Sequence, residues 1–530
     1  MRTVPGSTAR SSTDLAAVRR RTRIGSATEE GLRAAADVRH LFAFRASGMR
    51  GRARRAGPIA LGVLAAITVA VSVLPAFLPE YDVTRRDMLI LLPTAYISVL
   101  VISIVSAATG GGGRELLPRE QAVAFPVSPT TDHLGALLMA PLNIAWLLQG
   151  WTVLGATSYA IGARPTLVLA LVPVYLWLFT GTAMAQALAW VVEWVRRGPS
   201  GHHVVRVVAV AAGLLLAALI ATDELTPLLD SSPTLRVVLA VLAGADLVWW
   251  PWLNMIASLL GMSAVAVVVG GWLAGRVARR PPRDELRVEA SGRSAREHPG
   301  SDFVALLRTD RAGIWRSVPM RRGMAVLALF PGLVAVGGSF GWETLGIFPG
   351  LVASGGALLF GVNSWCLDGR GALWRDSLPV SPRLAFASRV TVLLEILLFS
   401  TLVTLAIATL AAGVPTVSEA VAVGCAAVVV TFQVVATSLR WSVRRPYAVD
   451  LRSSRATPAP PLVMVGYSSR LALSTTFTGL LFNLTARAPW TWSLVLAVPF
   501  LLWSGVKLYR TASAWSRPET RARVIATVAS

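Results

Sequence analysis

The sequence predicts an all-α polytopic membrane protein of about twelve transmembrane helices, arranged as a tandem 6+6 repeat. Composition indicates the class: of 530 residues, 54% are hydrophobic and 15% are charged, with a mean hydropathy of +0.60, whereas soluble domains carry about 25% charged residues. Apolar stretches of about 20 residues, long enough to cross a ~30 Å hydrocarbon core as helices, recur along the chain. Paired motifs in the two halves indicate the repeat.

The apolar stretches define twelve predicted spans, six in each half. The pair 324–341 and 345–366 is the least distinct, because the loop between them is very short. The spans are 57–79, 88–109, 134–160, 165–193, 204–222, 253–275, 324–341, 345–366, 384–412, 416–438, 461–482 and 489–509.

Composition also divides the chain into five segments. The Arg-, Ser- and Thr-rich start has no apolar signal-peptide core and is expected to be a disordered cytoplasmic tail. A charged stretch with Pro281-Pro282 is expected to link the two halves. The segments are the tail 1–30, the first half 31–275, the linker 276–302, the second half 303–515 and a cytoplasmic C-terminal tail 516–530.

Each half begins with an amphipathic segment, at 32–44 and at 303–315. In the second, Leu306, Leu307 and Ile314 recur at helical spacing, and the charged residues between them, Arg308, Asp310 and Arg311, are expected on the opposite face. The first alternates in the same way, with Leu32, Ala35, Val38, Leu41 and Phe42 on its expected apolar face. Helices of this kind lie in the membrane interface.

The distribution of basic residues predicts the orientation. The net charge is +22, yet only five of the 50 basic residues fall in loops predicted to be outside: Arg85, Arg86, Arg164, Arg236 and Arg487. This positive-inside pattern predicts a multi-pass plasma-membrane protein with both termini in the cytoplasm. The basic charge therefore favours anionic lipid as a partner over nucleic acid.

The motif Pro-Val-Ser-Pro occurs twice, between the second and third spans of each half. Residues 114–129 read RELLPREQAVAFPVSP and residues 370–382 read RGALWRDSLPVSP. Proline suits the first turn of a helix and serine caps one, so each copy is expected to end a short helix and begin the next span. A turn explains one copy, but two copies preceded by alternating charges favour a docking surface for a cytoplasmic partner.

Several chemistries have no motif in this sequence. No GxxxxGK[ST] phosphate-binding loop is present, and Lys507 is the only lysine, so the chain is not itself a P-loop ATPase. His202-His203 lies in a basic loop without Cys or carboxylates at ligand spacing, which favours a surface role over metal binding. Cys366 and Cys425 lie in apolar spans and predict no disulfide. We therefore predict no catalytic, cofactor-binding or metal-binding residues and no cofactor in this chain.

Phe125-Pro-Val-Ser-Pro and Leu378-Pro-Val-Ser-Pro resemble the LPVS-type loop of ABC-2 type transporter permeases, and residues 307–323 are similar to the element before the first span in some of them. The resemblance implies a fused permease subunit of an ATP-driven exporter, with ATP held by two separate cytoplasmic ATPase subunits and an unidentified exported substrate. It implies connecting helices at 32–44 and 303–315, coupling helices at 114–129 and 370–382, and re-entrant helices at 223–252. The implied coupling residues are Arg119, Glu120, Pro126, Ser128, Pro129, Arg375, Asp376, Pro379, Ser381 and Pro382.

The sequence predicts one ionisable residue buried inside a span, Glu395. A carboxylate at a membrane-helix centre costs about 2.5–3.5 kcal/mol on insertion scales, so it should face protein or water. With a one-residue gap it aligns with Asn143. Both residues are expected either to bond another helix or to line the transport path.

Two other functions remain open from the residues alone. A polyprenyl-phosphate-dependent glycosyltransferase would use carboxylates in the first outer loop, where Glu80, Asp82 and Asp87 lie, although most outer loops are short for such an enzyme. An ion-coupled carrier would need several ionisable groups inside the membrane. Neither explains the doubled cytoplasmic motif.

Overall fold

The computed structural model describes most of both halves. Within that part the chain forms α-helices and short 3-10 segments and no strand. The tail 1–28, most of the linker, residues 110–126 and Asn143 lie outside it, and with them the predicted coupling residues Arg119, Glu120 and Pro126. The described residues are 29–41, 43, 52–80, 84–109, 127–142, 144–222, 224–280, 299–337, 340–359, 361–369, 371–448 and 461–529.

In the first half, two short helices separate the fifth and sixth predicted spans. The helices are α1 (29–41), α2 (Arg52–Val73), α3 (Arg85–Thr109), α4 (Pro129–Met139), α5 (Ile144–Ile161), α6 (Leu167–Arg196), α7 (Gly201–Ala221), α8 (Leu225–Asp230), α9 (Leu235–Ala245) and α10 (Trp249–Ala278). Short 3-10 segments cover Leu74–Phe77 and Ala140–Leu142.

The second half is followed by one further helix, which lies in the predicted C-terminal tail 516–530. Its helices are α11 (Asp302–Arg316), α12 (Val318–Gly337), α13 (Trp342–Leu345), α14 (Phe348–Leu359), α15 (Gly371–Asp376), α16 (Pro382–Ala412), α17 (Val417–Arg444), α18 (Pro461–Ala486), α19 (Trp490–Trp515) and α20 (Pro518–Ala529), with a 3-10 segment at Gly361–Leu367.

Six of these helices are long and apolar enough to cross a membrane: α3, α6, α10, α16, α17 and α19. The prediction of an all-α, apolar helical protein of membrane character is thus confirmed for the described residues. Shorter apolar helices at 61–77, 203–216 and 323–336 overlap three further predicted spans. The count of twelve spans and the 6+6 repeat stay predictions.

Two predicted spans are interrupted. Span 134–160 divides into α4, a 3-10 turn and α5, and the turn contains Pro141, which has no N–H to continue a helical ladder. The matching helix α16 has 31 residues and no internal proline. Span 345–366 forms the 12-residue helix α14 and then a 3-10 segment, in which Asn363 has non-helical backbone angles.

The apolar run 235–242 lies within the segment 223–252, for which the resemblance implies re-entrant helices. It forms α9, an 11-residue helix whose Val237, Val238 and Val241 are buried. The α9 helix packs against α6 and α10, and the Thr234 hydroxyl before it donates to the Pro93 carbonyl at 2.7 Å. This contact fixes α9 to α3.

Each half has its own apolar core. One core joins α3, α5, α6 and α9, and the other joins α11, α14, α16, α17, α18 and α20. In the first half α6 packs most extensively on α10, and in the second α17 packs most extensively on α19. The main described contacts between the halves are those of α5 with α18 and of α3 with α12.

Candidate functional site

The two Ser-Pro pairs start helices in the same way. Ser128 accepts a hydrogen bond from the Thr131 N–H at 3.0 Å, and Ser381 accepts one from the Leu384 N–H at 3.2 Å. The following proline occupies the first turn in each helix. The predicted capping is confirmed for both copies, and the short helix expected before the second copy is α15.

A buried group of charged side chains lies directly beneath α15. This ion cluster consists of Asp310, Asp368, Arg375, Arg389 and Ser388. Arg375 pairs with Asp310 at 2.5 Å and with Asp368 at 3.1 Å, and Arg389 pairs with Asp368 at 2.7 Å and with Asp310 at 3.0 Å. The Ser388 hydroxyl donates to Asp310 at 2.6 Å. The cluster thus joins α11, α15, α16 and the turn after the 3-10 segment.

Burial makes the charge balance of the ion cluster important. The side chains of Asp310 and Arg389 are each 1% exposed and that of Arg375 is 9% exposed. Burial opposes ionisation of Asp310, but Arg389, Arg375 and Ser388 outweigh it and hold its pKa below the usual value. Burial likewise opposes the charge of Arg375, and Asp368 and Asp310 outweigh it, so its pKa is raised. Two carboxylates therefore offset two guanidinium groups.

Aromatic rings form one wall of the ion cluster. Trp365 and Trp515 stack in parallel with ring centroids 3.9 Å apart, and Phe386 lies 6.4 Å from Trp365. The Arg389 guanidinium lies 5.2 Å from the Trp365 ring centroid and donates to the Ser364 carbonyl at 2.9 Å. This packing ties α19 to the base of α16.

The short helix α15 has one inward and one outward face. Ala372 and Arg375 point inward, whereas Leu373 and Trp374 are 59% and 63% exposed. The sequence carries a signal for this exposed pair, since two large apolar residues directly precede Arg375 and Asp376 in the charged segment before the second Pro-Val-Ser-Pro.

The other predicted coupling residues of the second half have different surroundings. Asp376 pairs with Arg521 of α20 at 2.7 Å. Pro379 and Ser381 are exposed and Pro382 is half-buried. A cavity of about 250 Å³ separates this loop from α20. In the first half, Ser128 and Pro129 are half-buried at the start of α4.

Glu395 forms an ion pair with a residue of the amphipathic helix α11. Arg311 of α11 donates to its two oxygens at 2.9 and 2.6 Å, and the two side chains are 47% and 39% exposed. The pair bridges α11 and α16.

Two expectations about charged residues were wrong. Arg389 also lies in the predicted span 384–412 and is almost fully buried, so Glu395 is not the only ionisable residue there. Asp310 lies on the buried face of α11 with Leu306 and Ile314, not beside Arg308, because its partners are on α15 and α16. On α1, Leu32 is exposed and Ala34 is buried beside Val38.

The first half lacks counterparts of two members of the ion cluster, Ser388 and Arg389. Counted from the Ser-Pro pair, Gly135 and Ala136 stand where the second half has Ser388 and Arg389. Its buried polar contact is instead between Trp190, whose ring N–H donates, and His133 Nδ1, at 3.0 Å. The two halves are therefore chemically unequal at this end of the bundle.

Carboxylates outside this region are engaged locally. Glu80 pairs with Arg85 at 3.4 Å, and Asp87 accepts from the Thr84 hydroxyl at 2.6 Å, while Asp82 lies outside the described residues. Across the described part of the chain, no group of three His, Cys, Asp or Glu side chains could hold a metal ion. Comparison with protein-family models, curated proteins and solved structures found no match to this chain.

Proposed function

We propose that this chain is the fused transmembrane subunit of an ATP-binding cassette exporter of the ABC-2 type, driven by separate cytoplasmic ATPase subunits. One observation carries the proposal. The buried face of α15 is held by the ion cluster, while the side chains of Leu373 and Trp374 on its other face are exposed. An exposed apolar pair on a firmly held helix is suited to docking in a cleft of another protein.

The contacts of α15 support a mechanical role. Arg375 connects it to Asp310 in α11, and Asp368 connects both to Arg389 in α16. A displacement of α15 therefore also moves the ends of α11 and α16 that it contacts. Separating the buried, oppositely charged side chains would cost too much free energy. At 1.5 Å per residue, the 31 residues of α16 extend about 46 Å, which exceeds a bilayer core.

The arrangement of helices supports two similar halves. In each half an amphipathic helix precedes the first predicted span, and a Ser-capped helix begins the third. The most extensive packing joins α6 with α10 and α17 with α19, the fourth and sixth predicted spans. The positive-inside pattern predicts that the ion cluster lies on the cytoplasmic side, where ATP is available.

Site-specific photo-crosslinking tests the docking directly. A benzoylphenylalanine residue at position 374, in cells that express the exporter's ATPase, should form an adduct on illumination. Mass spectrometry of the adduct should identify a peptide from a protein with a P-loop. The matched control is position 250, where Trp250 is 80% exposed at the start of α10, at the other end of the bundle.

Two outcomes would overturn the proposal. The first is an ATPase adduct at position 250 but none at position 374. The second is nucleotide-saturable ATP hydrolysis by the purified chain without any partner, because the sequence has no P-loop.

A further inference from the structure

Five basic side chains converge at one end of the α17–α19 pair. Arg440 and Arg444 of α17 and Lys507 and Arg510 of α19 line a hollow of about 210 Å³, which we call the basic pocket. Arg470 of α18 is close enough to act electrostatically on Arg440 and Lys507. The basic pocket is separate from the ion cluster and from the exposed face of α15.

Helical spacing directs these cations to one place. Arg440 and Arg444 are four residues apart, and Lys507 and Arg510 are three apart, so each pair lies on one helix face. The Lys507 ammonium donates to the Thr437 hydroxyl at 3.2 Å. The hydrogen bond holds this cation at the wall between α17 and α19.

The basic pocket has an excess of positive charge that nothing described here offsets. Arg440 is repelled by Arg444, Arg470 and Arg510, and none of the five cations has a carboxylate partner among the described residues. Arginines elsewhere differ, as Arg311, Arg375 and Arg521 each pair with an acid. Convergent like charges destabilise a fold, so an anion in this hollow would be bound favourably.

The surroundings indicate which anion. Leu502 and Trp503 are each 64% exposed and Val506 is 44% exposed, and they form an apolar strip of α19 that runs directly into the basic pocket. A ligand that carries a phosphate next to acyl chains would use both surfaces. Arginine recognises phosphate through charge-assisted hydrogen bonds, and basic pockets between membrane helices bind anionic headgroups.

We propose that the basic pocket binds the phosphate of an anionic phospholipid from the adjoining membrane leaflet. The apolar strip contacts the acyl chains, while Arg440, Arg444, Lys507 and Arg510 surround the headgroup. The bound lipid thereby neutralises the repulsion between α17 and α19 and stabilises their packing.

The single lysine gives a direct test. The purified chain is placed in nanodiscs of phosphatidylcholine, with or without phosphatidylglycerol, and acylated with an amine-reactive reagent. Peptide mass spectrometry then measures the reaction at Lys507, the only lysine of the sequence. Phosphatidylglycerol should slow the acylation by about tenfold, because an anionic headgroup held in a basic pocket between membrane helices would cover the Lys507 ammonium.

Two double variants separate the basic pocket from the general surface charge. Arg440→Gln/Arg444→Gln should lose most of the protection, to less than about twofold. Arg383→Gln/Arg517→Gln removes the same charge from two exposed residues outside the basic pocket and should keep it. Both variants should remain monodisperse in phosphatidylcholine nanodiscs and have similar melting temperatures, which excludes a folding defect. If Arg440→Gln/Arg444→Gln does not fold, Arg510→Gln is the milder substitute.

The result can overturn the proposal in two ways. Equal protection in both double variants would mean that the membrane surface alone shields Lys507. Equal protection by millimolar inorganic phosphate in phosphatidylcholine nanodiscs would identify a soluble phosphate as the ligand instead of a lipid. Failure of the exporter proposal would leave this test unaffected, because it uses the purified chain without any ATPase.

Discussion

Arg375 and Asp310 are 65 residues apart in the sequence and form a two-point ion pair, with hydrogen bonds of 2.5 and 3.0 Å. The pair joins the short helix α15 to the amphipathic helix α11. Because both side chains are buried, the contact is a structural bond and is not available to a docking partner. If Arg375 takes part in coupling, we expect it to act by holding α15 in place.

Replacing Arg375 should destabilise the fold. Arg375→Gln leaves Asp310 and Asp368 with one guanidinium between them, and removing one partner of a buried ion pair costs about 3–5 kcal/mol. The melting temperature of the purified chain should fall clearly. The matched control is Arg308→Gln on the exposed face of α11, which should leave it nearly unchanged. Equal melting temperatures for the two variants would contradict the structure of the ion cluster.

Acid should weaken the ion cluster through Asp310. Its folded-state pKa lies below the ordinary value of 3.8, so its contribution to stability is present above pH 3.8 and is lost as pH falls through the lower folded-state value. The wild type should therefore be more stable than Asp310→Asn at neutral pH. The difference in melting temperature should shrink below pH 3.8; a constant difference down to about pH 2.5 would refute this assignment.

A charge swap distinguishes the two roles open to Glu395. Glu395→Gln should keep the ATPase bound and change transport, with a stability effect below about 1 kcal/mol because the pair with Arg311 is partly exposed. If the residue acts through that pair, Arg311→Glu/Glu395→Arg should restore transport. Transport that stays impaired in the swapped variant, with normal assembly, would instead place Glu395 in the transport path.

The C-terminal helix α20 should be held by apolar contacts more than by charge. Ile525 is buried, and Ile525→Ala should cost about 2–5 kcal/mol. Arg521→Gln breaks the pair with Asp376, which is partly exposed, and should cost less than about 1 kcal/mol. Limited proteolysis around α15 should thus accelerate for the first variant only. The reverse order would show that the ion pair dominates.

Cysteine labelling should establish the orientation. Ser231 and Ser377 are both exposed, at opposite ends of the bundle. An impermeant maleimide should label Ser231→Cys in intact cells and Ser377→Cys only after permeabilisation, as the positive-inside pattern predicts. The unsubstituted chain, with Cys366 buried and Cys425 half-buried, gives the background. Labelling with the opposite pattern would invert the topology.

Local signals in the sequence were sufficient for the helical class and for the helix starts. Composition alone predicts an apolar helical protein, and a Ser-Pro pair determines a cap because its partner N–H lies only three residues on. Pro141 likewise marks the interruption between α4 and α5, although the apolar run continues through it and had suggested one span.

The ion cluster could not be predicted because its partners meet only in the folded chain. Asp310 has the helical spacing of a solvated acid, and its burial depends on Arg375 and Arg389 in other helices. Arg389 lies near the start of a predicted span, where an arginine is normally a topology signal. The sequence alone predicts which helix carries each charged residue, but not which residue is its ion-pair partner.

The interruption at Pro141 has a mechanical consequence if both halves are driven by ATPase subunits. The helix α16 is continuous, so a displacement applied at Ser381 would be transmitted along its whole length. In the first half the helix is interrupted between α4 and α5. The same displacement at Ser128 would therefore be partly absorbed by bending at that interruption. Two equal displacements would then move the far end of α5 less than the far end of α16, so the two halves would respond unequally.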